Sequence, residues 1–583
     1  MRRAHTPKRW RILPDDMQAE AQLQIELGVH PVIARLLVQR GLTTPEAADA
    51  FLNPSLDRLH DPFLLPDAEV ACERLKRALA EKERILVHGD YDGDGVTSAA
   101  LWTRALRSLG GDVDVFVPHR KRDGYDIRVP IIEQAKQEGV TLIVTTDCGI
   151  QRVDEVEHAR QYGIDVIITD HHTPNANGQL PRAVAVVNPH RKDSRYPFPN
   201  LAGVGVAFKL CEALTRHLGH KPEQFRRGFL DLATIGTVTD VMPLLDENRV
   251  LVKYGLESLA QTKKPGLRAL IDVAGYRADG KPLNARAIGF GIGPRLNAAS
   301  RIDDAKLALD LLLTRDEAEA TTLARRLNEC NIQRQEEQAR ILEEALAQVA
   351  QQDMMEARCL VLHGAGWSGS IVGIVASKIV ERFYRPCVMI ALDEATGAGR
   401  GSARSIHPFN IFDAIDSCRD LLIEYGGHAH AAGLSIEGAN VADFAAQMNR
   451  LAGSLLSDED LQPSLEAALE VAPSEITPDL LCQLETLEPF GHGNHEPLFV
   501  SRSVPILESQ RIGKEGQHLK LLLKADGLNG NDMVETLWWN HGDLADALEA
   551  GLSVDVCYRP EFNIWNGRRK IQFKVEDLQP AEW

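Results

Sequence analysis

The sequence has no C-x-x-C pair. Its nine cysteines, among them Cys72, Cys148, Cys330 and Cys557, are widely scattered, which excludes a zinc ribbon or a disulfide framework and fits reduced thiols. No run of about 18 uncharged apolar residues occurs, so no membrane-spanning helix is expected. The opening stretch MRRAHTPKRWRILPDD carries basic residues but no apolar core ahead of a small-residue cleavage site, and the expected location is the cytoplasm. Net positive charge is also lacking: 83 acidic against 65 basic side chains leave a formal charge of -18. That balance argues against a surface given over to phosphate neutralisation. It does not exclude nucleic acid, because carboxylates that hold metal ions add to the negative count while creating a locally positive site. Short basic stretches such as His119-Arg120-Lys121-Arg122 and Arg568-Arg569-Lys570 remain to contact phosphates.

What is present is a chain of 583 residues, 44% hydrophobic and 25% charged, long enough for several domains with ordinary buried cores. From about Glu69, short apolar runs alternate with helical stretches: ILV at 85–87, DVFV at 114–117, TLIVTT at 141–146 and DVIIT at 165–169. This rhythm predicts an α/β domain whose parallel sheet is flanked by helices, with ligands bound beyond the carboxyl ends of the strands. The stretch 314–353, rich in Ala, Leu, Glu, Gln and Arg and free of Pro and Gly, reads as a connecting helix on the order of 50 Å long. A smaller α/β unit follows, with strands from Cys359 and Cys387, a helix from about Val372 to Glu381, and a Gly-rich segment ending GGHAHAAGLSI. Beyond the turn-rich PFGHGNHEP, the runs LFV, HLKLLLK, VETLWWN, SVDVCYRP and KIQFKV predict a small OB-fold-like β-barrel. The expected boundaries are 1–68 for an N-terminal helical segment, 69–313, 314–353, 354–440 and 464–583.

Chemistry concentrates at the strand ends. In VHGDYDGDGVTSAA, Asp90, Asp92 and Asp94 alternate after an apolar strand, and residues two apart in extended backbone point the same way. Convergent carboxylates repel one another unless a cation neutralises them, and oxygen ligands favour Mg²⁺ or Mn²⁺. A solvated Asp/Gly turn is the plainer alternative; a calcium loop is disfavoured because Leu101 stands where its twelfth-position Glu belongs. Two more strand ends repeat the theme, with Asp147 after TLIVTT and Asp170-His171-His172 after DVIIT. A helix N-cap explains any one Asp and an ordinary histidine any one His. Three successive strand ends delivering Asp and His to one sheet edge point to a metal centre.

Asp-His-His after a strand, preceded by the Asp-rich strand end and the isolated Asp, resembles the DHH phosphoesterases. DLATIGTVTDVMPL resembles their fourth motif and GGHAHAAG, Gly426 to Gly433, their DHHA1 signature. LAGVGVAFKL at Leu201, GPRLNAASR at Gly293, WSGSIVGIVASKI at Trp367, GSARSI at Gly401 and PFGHGN at Pro489 are similar, in order, to segments of the RecJ-like exonuclease branch. The resemblance spans most of 70–500.

That resemblance implies two divalent metal ions, Mn²⁺ or Mg²⁺, held by Asp92, Asp94, Asp147, His171 and Asp240, with Asp147 bridging both and Asp90 and His172 supporting catalysis. His88, four residues before Asp92, is as well explained by a strand end and stays outside the ligand set. Ser402 and Arg404 of GSARS, with its Gly-rich backbone N–H groups, would recognise a 5′-terminal phosphate, with Arg295, Arg301 and His428 near the substrate; an exposed Gly/Ser loop with a solvated Arg is the plainer alternative. Departures from the family pattern stand at Ser368, Ser300 and His495 and touch no implied metal ligand. In the barrel segment, Trp538, Trp539, Tyr558, Phe562 and Trp565 are candidates either for the core or for stacking on bases. The implied activity is a 5′→3′ exonuclease on single-stranded DNA, acting as a monomer in recombination and repair, with a single-strand-binding protein and a helicase as implied partners and no membrane. The alternatives are a DHH-type phosphodiesterase for short RNA or cyclic dinucleotides, and a non-catalytic scaffold.

Overall fold

The computed structural model describes residues 8–276, 283–352, 354–530, 532–565 and 568–581. The chain forms two compact units, one from Ile12–Asn331 with Ala467–Trp583, the other from Ile332–Glu466 with the residues through Arg11.

The first unit opens with helices α1 (Met17–Leu27), α2 (Pro31–Gln39) and α3 (Pro45–Leu52). Proline at the first position of α2 and α3, and a Thr44 hydroxyl that accepts from the Ala47 N–H, start these helices without an unsatisfied donor. There follow α4 (Ala68–Glu81), β1 (Arg84–Gly89), α5 (Gly93–Ser108), β2 (Asp112–Phe116), α6 (Val129–Gln137), β3 (Leu142–Thr146), α7 (Val153–Gln161), β4 (Asp165–Thr169) and β5 (Ala185–Val187). The strands form one parallel sheet in the order β2-β1-β3-β4-β5. The expected α/β rhythm is present, and β5, too short to stand out as an apolar run, completes the sheet. Strand order reverses between β1 and β3, which is where an open α/β sheet leaves a crevice at the carboxyl ends of its strands. Helices α8 (Gly203–His217), α9 (Pro222–Thr239), α10 (Asp246–Ala260), α11 (Pro265–Val273), α12 (Gly293–Ile302) and α13 (Lys306–Leu313) complete this half. Ile85, Val87, Val144, Trp102, Leu101 and Phe208 lie in its main buried cluster.

The expected connecting helix is α14 (Glu317–Val349), 33 residues or roughly 50 Å long. Thr314 instead ends α13, and residue 353 lies outside the described residues. The second unit holds β6 (Leu360–Ala365), α15 (Val372–Phe383), β7 (Cys387–Leu392), β8 (Ala398–Arg404), β9 (Leu422–His428), β10 (Ala431–Glu437) and α16 (Val441–Leu455). Its sheet runs β9-β10-β8-β7-β6. The Gly-rich segment expected to offer free backbone N–H groups is in a sheet instead: residues 401–404 of GSARS belong to strand β8, paired antiparallel on both sides with β7 and β10. GGHAHAAG is the β9–β10 hairpin. Glycine, depleted in strands, hides both, yet it is what lets packed neighbours close on them: a Cβ on Gly401 would lie 2.7 Å from Leu434 Cδ1.

Back in the first unit, β11 (Leu469–Glu470) and α17 (Pro478–Glu485) precede β12 (Phe499–Ile512), β13 (His518–Lys524), β14 (Met533–Trp538), β15 (Ser553–Trp565) and β16 (Arg568–Pro580). Pairing runs β12-β13-β14-β16-β15 and returns from β15 to β12, with β14 and β16 parallel. This closes the expected OB-type barrel. The N-terminal helices are not a free-standing segment: Leu23, Ile33, Leu36 and Phe51 share one buried cluster with Leu480, Phe499, Tyr558 and Phe573. Trp538 and Tyr558 are core, Tyr558 stacked on Phe573 with centroids 3.9 Å apart, whereas Trp539 is exposed and Phe562 lies under the Arg569 guanidinium. The Trp565 side chain lies outside the described residues.

Candidate metal centre

Asp92 caps α5, its Oδ1 accepting from the Asp94 and Gly95 N–H groups at 3.0 Å. The turn thereby returns Asp94 into the crevice at the first turn of the helix. Asp94 is fully buried and accepts from the Gly203 and Val204 N–H groups at 2.7 and 2.9 Å, so the first turn of α8 is docked on its carboxylate. Only glycine permits this approach, since a Cβ on Gly203 would lie 2.6 Å from Asp147 Cβ. Asp147 follows β3 with φ 62°, a conformation Asp tolerates better than most residues, and its N–H donates to Thr169 O at 3.0 Å. Asp240 ends α9.

Ligand atoms of Asp90, Asp92 and Asp147 lie within 4.8 Å of one another, as do those of Asp94, His171 and Asp240, and those of Asp147, His171 and His172. His171 Nε2 is 3.1 Å from Asp147 Oδ1, which joins the first two groups. All five expected ligands are therefore brought together, with Asp90 and His172 beside them.

The electrostatics are those of a cation site. Burial and then Asp92 push Asp94 up to about 7, burial and then Asp94 and Asp92 push Asp240 up to about 9, and burial with the neighbouring carboxylates drives Asp90 and Asp147 well above the usual range. Such groups are stable as anions only against compensating positive charge. Burial, reinforced by His172, lowers His171 to about 4 and keeps its imidazole neutral, as a ligand must be. Asp90 Oδ1 is buried without a hydrogen-bond partner. Four to five crowded oxygen donors and one imidazole suit Mg²⁺ or Mn²⁺ rather than a thiophilic ion.

Asp170 plays a different part from its neighbours. It accepts from Ile150 N–H, from the His171 and His172 N–H groups and from His172 Nδ1 at 2.8 Å. Against the opposing effect of burial, that bond and the charge of Asp170 raise His172 to about 9. His88 is fully buried beside Cys148 and Phe116 and held neutral by desolvation, a core histidine outside the ligand groups.

Among the expected substrate residues, Arg295 donates to Asn328 Oδ1, Gly291 O and Val273 O. These bonds hold α12 to its neighbours and fix the position of the Arg295 guanidinium. In the same segment, Asn297 Oδ1 accepts from Gly93 N–H at 2.7 Å at the start of α5. Sequence reasoning also passed over Tyr91, inside the Asp-rich motif: Arg120 lies over its ring at 4.7 Å, Tyr125 meets it edge-on, and Tyr125 in turn meets His172. Burial raises the Tyr91 phenol pKa, and the positive charge of Arg120, with a smaller contribution from Arg301, acts against that.

In the second unit, the backbone of GSARS is engaged in the sheet, leaving side chains for recognition. Arg404 donates to Ser402 Oγ at 3.1 Å and to Ala403 O, and desolvation lowers its pKa. A Cβ on Gly373 would lie 2.8 Å from Ser402 Oγ and 3.2 Å from Arg404 Nη2, so the first turn of α15 abuts both. A helix N-terminus, a hydroxyl and a guanidinium meet there, the elements of an anion site. His428 is exposed at the end of β9.

Models of known families match the chain in three places: the DHH family N-terminal domain at residues 84–237, the DHHA1 domain at 355–454 and the RecJ OB domain at 468–577. Fold and site thus define a metal-dependent phosphoesterase of the DHH class. The chain is 37% identical over 575 residues to the single-stranded-DNA-specific exonuclease RecJ of Bacillus subtilis, covering 99% of this chain and 71% of the relative. To RecJ of Escherichia coli it is 34% identical, over 97% and 98% of the two chains. The crystal structure of RecJ from Thermus thermophilus in complex with Mn²⁺ superposes with a TM-score of 0.83 at 34% identity, covering 99% of this chain and 80% of that one, and its Mg²⁺ complex with 0.78. The chain belongs to the RecJ exonuclease family. No helix of the described residues is long and apolar enough to cross a membrane.

Proposed function

We propose that the chain degrades single-stranded DNA from its 5′ end, hydrolysing phosphodiester bonds to release mononucleotides in DNA repair and recombination. The observation that carries this reading is the pair of ligand groups at the switch point, Asp90, Asp92 and Asp147 beside Asp94, His171 and Asp240, linked through His171 and Asp147. Two divalent cations, Mn²⁺ or Mg²⁺, held by Asp92, Asp94, Asp147, His171 and Asp240 would supply activation of water and neutralisation of charge on the scissile phosphate. The remaining chemistry belongs to the chain. His172, whose Nδ1 is held by Asp170, donates a hydrogen bond from its other ring N–H to a phosphate oxygen or the leaving group. Asp90 accepts a proton from water at the site. The buried first turns of α5 and α8 hold the carboxylates in register, so the site is preorganised before substrate arrives.

The division of labour we infer follows the sequence boundaries. Residues 69–313 carry out hydrolysis, 354–440 anchor the 5′ phosphate through Ser402 and Arg404 with His428 nearby, and 464–583 track the strand, with 314–353 as connector and 1–68 as support of the barrel. Arg301 and Arg120 serve the nucleotide beside Tyr91. Trp539 and Phe562 are the barrel aromatics placed for bases, as OB-folds use them. A cytoplasmic monomer working with a single-strand-binding protein and a helicase completes the proposal.

The test is digestion of internally labelled single-stranded DNA, with and without a 5′ phosphate, in Mn²⁺, Mg²⁺ or EDTA. Release of mononucleotides from the 5′ end that EDTA abolishes is the expected result; intact long DNA with cleaved dinucleotides would overturn it. Arg404→Ala is expected to raise KM for 5′-phosphorylated DNA by roughly 10-fold to 100-fold, the worth of a hydrogen bond to a charged group. The same variant should act on 5′-hydroxyl DNA like the parent, and an equal loss on both ends would show that Arg404 serves the sheet and not the phosphate.

A further inference from the structure

The segment PFGHGN, far along the chain from Asp240, has no part in the metal chemistry described so far, yet it grips the turn that carries this ligand. Asp240 ends α9 and is followed by Val241 at φ 57°. A β-branched residue in the left-handed region is strained and persists only where its surroundings over-determine it. On one side the restraint is α9, through Val241 N–H to Val238 O and Met242 N–H to Thr237 O. On the other side it is the distant loop: Leu244 N–H donates to His492 O at 2.8 Å. Gly491 and Gly493 let the loop sit this close, since a Cβ on Gly491 would lie 2.6 Å from Leu244 Cδ1 and one on Gly493 3.0 Å from Pro243 Cβ.

The loop is itself immobilised. Asn494, fully buried, donates to Leu487 O and Pro489 O at 2.8 and 2.9 Å, and Arg40 donates from Nε to Asn494 Oδ1 and from Nη2 to His495 O. Arg249, packed over the Phe51 ring, donates to Thr486 O and Leu487 O. From Arg40 at the end of α2, through Asn494 and the turn of residues 491–494, to Leu244, the links are hydrogen bonds, and the chain itself carries the restraint over the three residues from Leu244 back to Val241.

We propose that Gly491 and its loop are positioning elements of the catalytic centre. They hold Val241 in its strained conformation and thereby set the reach of the Asp240 carboxylate toward the cation it shares with Asp94 and His171. This inference rests on the metal-centre reading above. Loss of the grip lets residue 241 relax to negative φ and withdraws one ligand, while the other ligands stay in place.

The experiment is a Mn²⁺ titration of the full chain followed by electron paramagnetic resonance, with melting in the absence of metal and steady-state cleavage as companion readouts. Gly491→Ala is expected to weaken Mn²⁺ binding by about 10-fold to 100-fold, the range for removing a group that orients a ligand, with the metal-free melting temperature preserved and cleavage recovering at high Mn²⁺. Adding Val241→Gly, which makes the left-handed turn free of strain, should cancel most of that loss, a coupling that general weakening of the fold would not produce. If Gly491→Ala does not accumulate as folded protein, Leu244→Ala removes the gripped side chain from the other partner and is read the same way. Unchanged Mn²⁺ affinity in the folded variant overturns the proposal. Absence of Mn²⁺ binding by the parent chain overturns the metal-centre reading instead.

Discussion

Asp147→Asn is expected to lower the rate of single-stranded DNA cleavage by about a thousandfold or more while leaving DNA binding within a few-fold of the parent. The magnitude follows from the several kcal/mol of charge stabilisation that a bound cation contributes, about 4 kcal/mol for three decades in rate. Asparagine is the informative substitution because the residue sits at φ 62° and, after glycine, Asn adopts that conformation most readily. It preserves the shape that packs against Gly203 and removes only the charge that joins the two ligand groups. Cleavage of labelled oligonucleotide under single-turnover conditions, with fluorescence anisotropy for binding, reads both quantities. Cleavage within tenfold of the parent would sink the assignment of Asp147 as a ligand; loss of binding together with a lower melting temperature would mean that the substitution disturbed the fold.

The second large effect is on stability. Lys209 and Glu247 are both fully buried, with Nζ 2.7 Å from Oε1, and Nζ also donates to His60 O at 2.5 Å. Glu247 accepts in addition from the Tyr196 hydroxyl and from His60 N–H. The pair ties α8, whose first turn is docked on Asp94, to α10, which follows the Asp240 turn. Breaking a buried pair from one side leaves an uncompensated charge and costs about 3 to 5 kcal/mol, whereas replacing both partners by apolar groups of similar volume is close to neutral. Lys209→Met is therefore expected to lower the melting temperature of this large unit by about 3 to 5 °C, and Lys209→Met with Glu247→Leu to recover most of it. A single variant that melts with the parent would show that water or protonation compensates the carboxylate at no cost.

How the site could be read from the chain differs from residue to residue. Asp90, Asp92, Asp94, Asp147 and His171 follow apolar runs whose burial on both faces makes them strands of a parallel sheet, and the ends of such strands meet at one edge. Their convergence is a consequence of local pattern and needed no contact information. Asp240 carried no such signal: it ends a helix, and only its likeness to a family motif marked it. Asn297 lies two residues from Arg295, and no local pattern distinguishes its amide as the group that touches the start of α5. GSARS carries no strand signal of its own, because glycine is depleted in strands; pairing on both sides with β7 and β10 overrides that preference.

By itself the sequence determined the alternation of strands and helices, the carboxylate-rich strand ends, the long connecting helix and the five runs of the barrel, because each is a periodicity or spacing within a few residues. The tertiary structure alone decided that the N-terminal helices complete the barrel core, that the amides of Gly203 and Val204 fix Asp94, that Arg295 is engaged internally, and that a loop near residue 490 grips the turn after Asp240. The reason is physical. Local patterning specifies which face of an element avoids water, but which distant element covers that face, and which buried donor meets which acceptor, is settled only when the whole chain packs.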